Sequence, residues 1–196
     1  MWGYGREIFL LKDNVGVVIP ALNEPYLEVL KQKLEGYGLC VRSEKGLSFA
    51  VWKGIQEAKG NIIVIMDADG SHDPRAIKGM LKLLDNNVWL VVGSRYVSGG
   101  YTYDSFLRKV ISLFYCKIAQ IVLRSKVRDC MSGFWCGYKW AFSFKPSQTY
   151  KFGLELIRTY KNHIKEYPII FCKRKKGKSH VKFMQAIKDF LAIFRR

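Results

Sequence analysis

From residue 15 to residue 96, short continuous apolar runs alternate with stretches whose apolar residues recur every three or four positions. The run VGVVIP (15–20) reads as a buried strand that Pro20 ends. Beyond it, Asn23 or Glu24 is placed to cap a helix with Pro25 in its first turn, Leu27, Leu30 and Leu34 on one face, and Gly36 as its stop. GLCVRS predicts a second strand, and LSFAVWKGIQEAKG a helix closed by Gly60. NIIVIMD (61–67) predicts a strand buried on both faces, followed by a helix from Pro74 that carries Ile77, Leu81 and Leu84. WLVVGSRY (89–96) predicts one more strand. Strand and helix in strict alternation with short joins predict an α/β fold, a doubly wound, mostly parallel sheet with helices on both faces.

The second half changes character. From Phe106 to Arg124, Leu107, Val110, Ile111, Phe114, Ile118, Ile121 and Val122 mark one side of a helix flanked by Arg108, Lys109, Lys117 and Arg124. HVKFMQAIKDFLAIFRR (180–196) repeats the design, with Phe183, Ala186, Ile187, Phe190 and Phe194 set against Lys182, Lys188, Arg195 and Arg196. Two basic amphipathic helices fit a membrane-surface face. Packing of both on the sheet is the alternative.

Composition narrows the partners. Thirty-three Lys and Arg against 16 Asp and Glu leave a net charge of +17, so polyanions are the natural company: nucleic acid, anionic lipid headgroups or phosphorylated substrates. The 196 residues suffice for one domain. Five cysteines without a CxxC pair or zinc spacing point to a reducing compartment. The opening residues lack the cationic start of a signal peptide, and SLFYCKIAQIVL falls short of the ~20 apolar residues that cross a bilayer. A cytoplasmic protein, peripheral at the cytoplasmic membrane face, is therefore expected.

Against that basic background, the stretch IIVIMDADGSHDP (62–74) gathers carboxylates at a strand end, where ligands of open α/β sheets bind. Asp67 and Asp69, two residues apart, can share a hard cation such as Mg2+ or Mn2+ whose other ligands come from a substrate's phosphates. An EF-hand is excluded, because the glycine falls at position 4 of the loop rather than 6 and Lys78 stands at position 12. Asp73 before Pro74 is read as a helix cap, and His72 is given no role beyond proximity.

The carboxylates come with ordered company: VVIPALNE (17–24), DADGSHDP (67–74), GSRY (93–96), SGG (98–100), Arg108 with Ser112, RDCMSGF (128–134) and EYPIIFCKRKKGKSH (166–180). This series resembles the family 2 inverting glycosyltransferases of GT-A fold, specifically the dolichol- or polyprenol-phosphate mannosyltransferase group, from about Val15 to His180. The resemblance implies one glycosyltransferase domain over 1–196, with a nucleotide-sugar half (1–100) and an acceptor and membrane-surface half (101–196). It implies that Pro20, Ala21, Asn23 and Glu24 line the donor pocket, that Asp67 and Asp69 hold metal and donor diphosphate, and that Ser71 is a third metal ligand. Arg95, Arg108, Ser112, Arg174 and Ser179 match the positions that bind the acceptor's phosphate, with His180 where lysine is usual; Asp69, Arg95 and Arg108 are the expected catalytic set. GDP-mannose is the favoured donor, a polyprenyl or dolichyl phosphate the acceptor, and an anionic membrane surface the further partner.

Residue chemistry agrees with that expectation. Arg108 and Ser112 lie one helical turn apart, so guanidinium and hydroxyl can meet on one phosphate. A phosphate monoester is already ionised and attacks without a general base; were the acceptor a sugar hydroxyl, Asp129 would be the candidate base. The chain departs from the family between Glu24 and Asp67, where no D-D-G-S loop reads the nucleobase and CVRSEKG stands directly after the first helix. Glucose or GlcNAc transfer from a UDP-sugar is thus the alternative. Two rivals remain: a shortened relative that binds nucleotide without turnover, and a non-catalytic nucleic-acid binder. Nucleic acid is not the expected partner, because carboxylates at a polyanion site repel.

Overall fold

The computed structural model describes residues 14–21, 24–44, 46–142 and 152–173. Six strands, β1 (Val15–Pro20), β2 (Gly38–Arg42), β3 (Ile62–Ile65), β4 (Leu90–Ser94), β6 (Trp135–Tyr138) and β7 (Ile164–Pro168), form one sheet in the order β2-β1-β3-β6-β4-β7. All pairings are parallel except those of β6, which runs antiparallel between β3 and β4. Short strands β5 (Tyr101–Thr102) and β8 (Ile170–Phe171) pair in parallel as a separate ribbon.

The apolar runs become strands because alternate side chains enter two different cores. On one face Val18, Ile63, Ile65, Leu90, Val92 and Trp135 pack against helices α2 (Leu47–Glu57), α4 (Phe106–Leu123) and α5 (Phe152–Tyr160). On the other, Val17, Ile19, Val64, Met66, Val91 and Phe134 pack against α1 (Leu27–Lys33) and α3 (Ala76–Leu81). The expected mostly parallel sheet with helices on both faces is what forms.

Local details differ from the sequence reading. Helix α1 begins at Leu27 with no side-chain cap among the described residues, and the carbonyl of Glu24 accepts the Leu27 N–H at 3.1 Å; Asn23 lies outside them. Helix α3 begins only at Ala76. Asp73, expected to cap it, uses its carboxylate to accept the Arg75 N–H at 3.0 Å and to pair with the Arg75 guanidinium, which holds that carboxyl below its usual range.

Helix α4 differs most. Its buried side is Tyr115, Cys116, Ala119 and Leu123, while Phe106, Leu107, Val110, Ile111, Phe114, Ile121 and Val122 of the apolar stripe face outward. Phe106 is 83% exposed. Among the described residues, no helix is long and apolar enough to cross a membrane. The second amphipathic segment, 180–196, lies outside the described residues.

Candidate functional site

Among the described residues, the candidate positions gather at the carboxyl edge of the sheet. Strand β3 delivers Asp67 and Asp69 there, β1 delivers Pro20 and Ala21, and β4 delivers Arg95. Antiparallel β6 starts at the same edge, with Ile65 opposite Trp135, so the SGF turn before it faces the DAD segment.

The turn after Asp67 is tight. Gly70 adopts φ 78°, the left-handed region that favours glycine, and a Cβ there would lie 2.7 Å from the Tyr26 ring. Asp69 is buried, and its Oδ1 accepts the Ser71 N–H at 2.9 Å. Asp67 is more open, its side chain 38% exposed. A Cβ on Gly133 would stand 3.0 Å from Asp67 Oδ2, so a glycine in SGF leaves that carboxylate its place. His72 is buried, stacked on Phe134 at 5.0 Å and edge-on to Phe171 at 5.3 Å; its Nδ1 accepts the Asp67 N–H at 3.4 Å. Burial holds its pKa below the ordinary histidine value, against the pull of Asp67 and Asp69.

Two buried polar atoms in this turn, Ser71 Oγ and His72 Nε2, have no hydrogen-bond partner among the described residues. Orphaned buried polar atoms are costly and mark places where a ligand completes the bonding. The donors Asp67, Asp69 and Ser71 are all hard oxygens, the set suited to Mg2+ or Mn2+. Among the described residues no three His, Cys, Asp or Glu side chains cluster around a metal position, so the protein offers a partial shell of the kind that Mg2+ completes with phosphate and water. The residues fit such an ion.

Arg95 defines a second group. Its Nε donates to Asp129 Oδ2 at 2.7 Å, one terminal nitrogen to Asp129 Oδ1 at 2.8 Å and to Ser112 Oγ at 3.4 Å, and the other to Asp104 Oδ2 at 3.5 Å. The Arg95 backbone N–H adds a bond to Asp129 Oδ2 at 3.0 Å. Burial alone would lower the pKa of Arg95, but the Asp129 bonds and charge outweigh it and raise the pKa further. The backbone N–H groups of Arg128 and Asp129 donate in turn to Glu166 on β7, at 2.9 and 3.0 Å. Arg108 stands at the rim, 71% exposed, with its guanidinium 3.9 Å from Asp104. Phe171 links the two groups, its ring 5.2 Å from the Arg95 guanidinium and 5.3 Å from His72.

The other end of the edge is charged as well. Arg42, at the end of β2, pairs with Glu57 and approaches Glu44 at 4.0 Å, while Lys53 donates to Glu44 at 3.1 Å. Arg42 Nε and Glu44 Oε2 are buried without a hydrogen-bond partner among the described residues. The Ala21 N–H donates to the Arg42 carbonyl at 2.7 Å, tying this corner to the loop after β1.

The sequence-derived set is thus brought together unevenly. Pro20, Ala21, Glu24, Asp67, Asp69 and Ser71 share the edge, and Arg95, Ser112 and Arg108 gather beside Asp104. Arg95, expected to face an acceptor's phosphate, has its guanidinium on Asp129, the residue named as a base for a sugar-hydroxyl acceptor. Arg174 and Ser179 lie outside the described residues. Sequence reading missed Asp104, Glu166 and Phe171: the partners of Glu166 and Phe171 lie far along the chain, while Asp104 is signalled by its helical spacing to Arg108.

Comparison with known proteins follows the same outline. Residues 23–143 match the family described as Glycosyl transferase family 2. A dolichol-phosphate mannosyltransferase of Pyrococcus furiosus is 34% identical over 145 residues, which cover 71% of this chain and 41% of the relative. One from Saccharomyces cerevisiae is 32% identical over 179 residues, 79% of this chain and 65% of the relative. The chain therefore spans between 41% and 65% of the length of these curated relatives. Among solved structures, glucosyl-3-phosphoglycerate synthase from Mycobacterium tuberculosis, in complex with Mn2+, UDP-glucose and glycerol 3-phosphate, superposes with a TM-score of 0.64 at 14% identity, covering 93% of this chain and 78% of that one. At that identity the likeness is one of fold.

Proposed function

Because the chain belongs to glycosyl transferase family 2 and folds as a GT-A domain, we propose that it moves a sugar, mannose first, from a nucleotide-sugar to a polyprenyl or dolichyl phosphate with inversion. The observation that carries this reading is the meeting of two groups at one sheet edge: the oxygens of Asp67, Asp69 and Ser71, and the Arg95, Ser112 and Arg108 group, joined across Phe171. One suits the donor's diphosphate and the other an acceptor's phosphate. GDP-mannose is the favoured donor, because the sequence relatives are dolichol-phosphate mannosyltransferases.

Asp67, Asp69 and Ser71 would hold Mg2+ or Mn2+. When bound, such an ion supplies Lewis-acid stabilisation of the departing diphosphate. The remaining work belongs to the chain. Pro20, Ala21, Asn23 and Glu24 line the donor's cleft, and Arg42 and Glu44 stand at its base end, where one offers a donor and the other an acceptor. Arg108 and the Ser112 hydroxyl receive the acceptor's phosphate, with Arg174 and Ser179 completing its charge neutralisation. Arg95 is a positioning residue in this scheme: clamped to Asp129, it fixes Ser112 through a terminal nitrogen. A phosphate oxygen is ionised at neutral pH, so alignment and charge neutralisation replace a general base.

The exposed apolar residues of α4, flanked by Arg108, Lys109, Lys117 and Arg124, form the face that meets an anionic membrane and brings the phosphate of a lipid acceptor to Arg108. A screen of GDP-mannose, UDP-glucose and UDP-GlcNAc with Mg2+ or Mn2+ against a polyprenyl phosphate tests the proposal. The expected product is polyprenyl phosphate mannose. Absence of transfer from every donor, with the protein folded, overturns it.

A further inference from the structure

Cys116 and Cys130 bring their sulfurs to 3.4 Å, both enclosed, at the joint between α4 and the 128–134 loop. Neither thiol has a part in the transfer chemistry above, yet each adjoins it. Cys116 lies one turn after Ser112, and Cys130 follows Asp129, the carboxylate that Arg95 clasps.

The two thiols are unequal. The Cys130 S–H donates to the Cys116 sulfur, and this bond holds the Cys116 thiol below its ordinary range against burial and the charge of Asp129; Arg95 acts in the same direction as the bond. Cys136 is the contrasting case, fully buried on β6, with burial pushing its thiol well up. Two sulfurs in contact, one donating to the other, have the arrangement of an attacking and a resolving cysteine. Closing the gap to the ~2.05 Å of a disulfide needs a movement of about 1.4 Å, within reach of side-chain rotation and a small loop shift.

We propose that Cys116 and Cys130 form a reversible disulfide, with hydrogen peroxide as the oxidant, which staples α4 to the loop that carries Asp129. The Cys116 thiolate attacks one peroxide oxygen, the O–O bond breaks, and the leaving hydroxide takes a proton to become water. The Cys130 sulfur then attacks the resulting sulfenic sulfur, the S–O bond breaks, and a second water departs. Two thiols lose two protons and two electrons, and one peroxide becomes two waters. The bond closes a loop between residues 14 apart in sequence, which constrains the unfolded chain and raises the melting temperature. This inference is independent of the transfer reaction.

The test uses the full chain with Cys40 and Cys172, the two partly exposed cysteines, changed to serine. The protein is treated with one equivalent of hydrogen peroxide, unfolded and mapped by mass spectrometry without reduction. A peptide linking Cys116 to Cys130, loss of two of the three remaining thiols, and a rise in melting temperature that dithiothreitol reverses are expected. Cys116→Ser and Cys130→Ser should each remove the rise. Should either variant fail to fold, the peptide map of the unmodified chain decides alone. Three intact thiols after treatment, or sulfinic acid at Cys116 with no linked peptide, overturn the proposal.

Discussion

Arg95 and Asp129 form a two-pronged ion pair, Nε to Oδ2 at 2.7 Å and a terminal nitrogen to Oδ1 at 2.8 Å, with the Arg95 side chain 9% exposed and that of Asp129 fully enclosed. Breaking a buried pair by removing one partner strands the other charge, which costs about 3–5 kcal/mol. Asp129→Asn is therefore expected to lower the unfolding free energy by that order, read as a lower urea midpoint at an unchanged slope. Arg95→Lys should do nearly as much, because an ammonium cannot reproduce the fork. If Arg95 acted only on an acceptor's phosphate, both variants would keep wild-type stability and change KM alone.

The carboxylate turn makes a different prediction, of binding rather than folding. Asp69→Ala should abolish Mn2+-dependent binding of a nucleoside diphosphate in calorimetry. Gly133→Ala pushes a methyl to 3.0 Å from Asp67 Oδ2 and should weaken the same binding by about tenfold, near 1.4 kcal/mol, while the fold persists. Equal affinity in wild type and Asp69→Ala would place the nucleotide elsewhere.

What could be seen in advance, and what could not, follows from the range of each signal. Strands β1, β3 and β4 were legible because both of their faces are buried, leaving unbroken apolar runs. Strand β6 was not: WCGY spans only four residues, and nothing local says that it inserts antiparallel between β3 and β4. The helix at 106–123 was visible from its period, yet periodicity marks a stripe without saying what it faces. The side of α4 that packs is Tyr115, Cys116, Ala119 and Leu123, and most of the larger apolar side chains turn outward. Asp67, Asp69 and Ser71 are neighbours in sequence and so declared themselves together. The partner of Arg95 lies 34 positions away, beyond the reach of any spacing rule.

Arg108 is the rim counterpart of Arg95. It is 71% exposed and only 3.9 Å from Asp104 at its nearest, so its removal should cost the fold little. Arg108→Ala is expected to raise the KM for polyprenyl phosphate by tenfold or more with an unchanged melting temperature, and Ser112→Ala to raise it less. Steady-state kinetics at saturating donor separate the two; wild-type KM in both would remove this helix from the acceptor site.

The outward stripe of α4 predicts membrane association governed by both apolar area and charge. Phe106→Ser with Phe114→Ser should reduce co-sedimentation with vesicles containing phosphatidylserine several-fold, since these residues are 83% and 66% exposed and pack little against the rest of the fold. High salt should weaken wild-type binding, because each basic residue near an anionic surface contributes about 1 kcal/mol that ions screen. Undiminished binding by the double variant would reassign the face.

Alkaline pH probes the centre of the sheet. Cys136 sits fully enclosed on β6 between β3 and β4, and burial pushes its thiol well above the ordinary range. In the unfolded chain the same thiol ionises near pH 8.5. Above that value the unfolded state sheds a proton that the native state keeps, so the stabilisation present at neutral pH is lost progressively as pH rises toward the folded value. One such group contributes a slope approaching 1.4 kcal/mol per pH unit. Urea denaturation at pH 8 and pH 10 should show a fall in stability that Cys136→Ala, already less stable at pH 8 for want of a sulfur, reduces by about 2 kcal/mol, that slope acting over the ~1.5 pH units above 8.5. Tyrosine and lysine titrations are common to both proteins, so the difference between them isolates the thiol. Parallel pH profiles for the two would mean that Cys136 ionises in the native core as freely as in the unfolded chain.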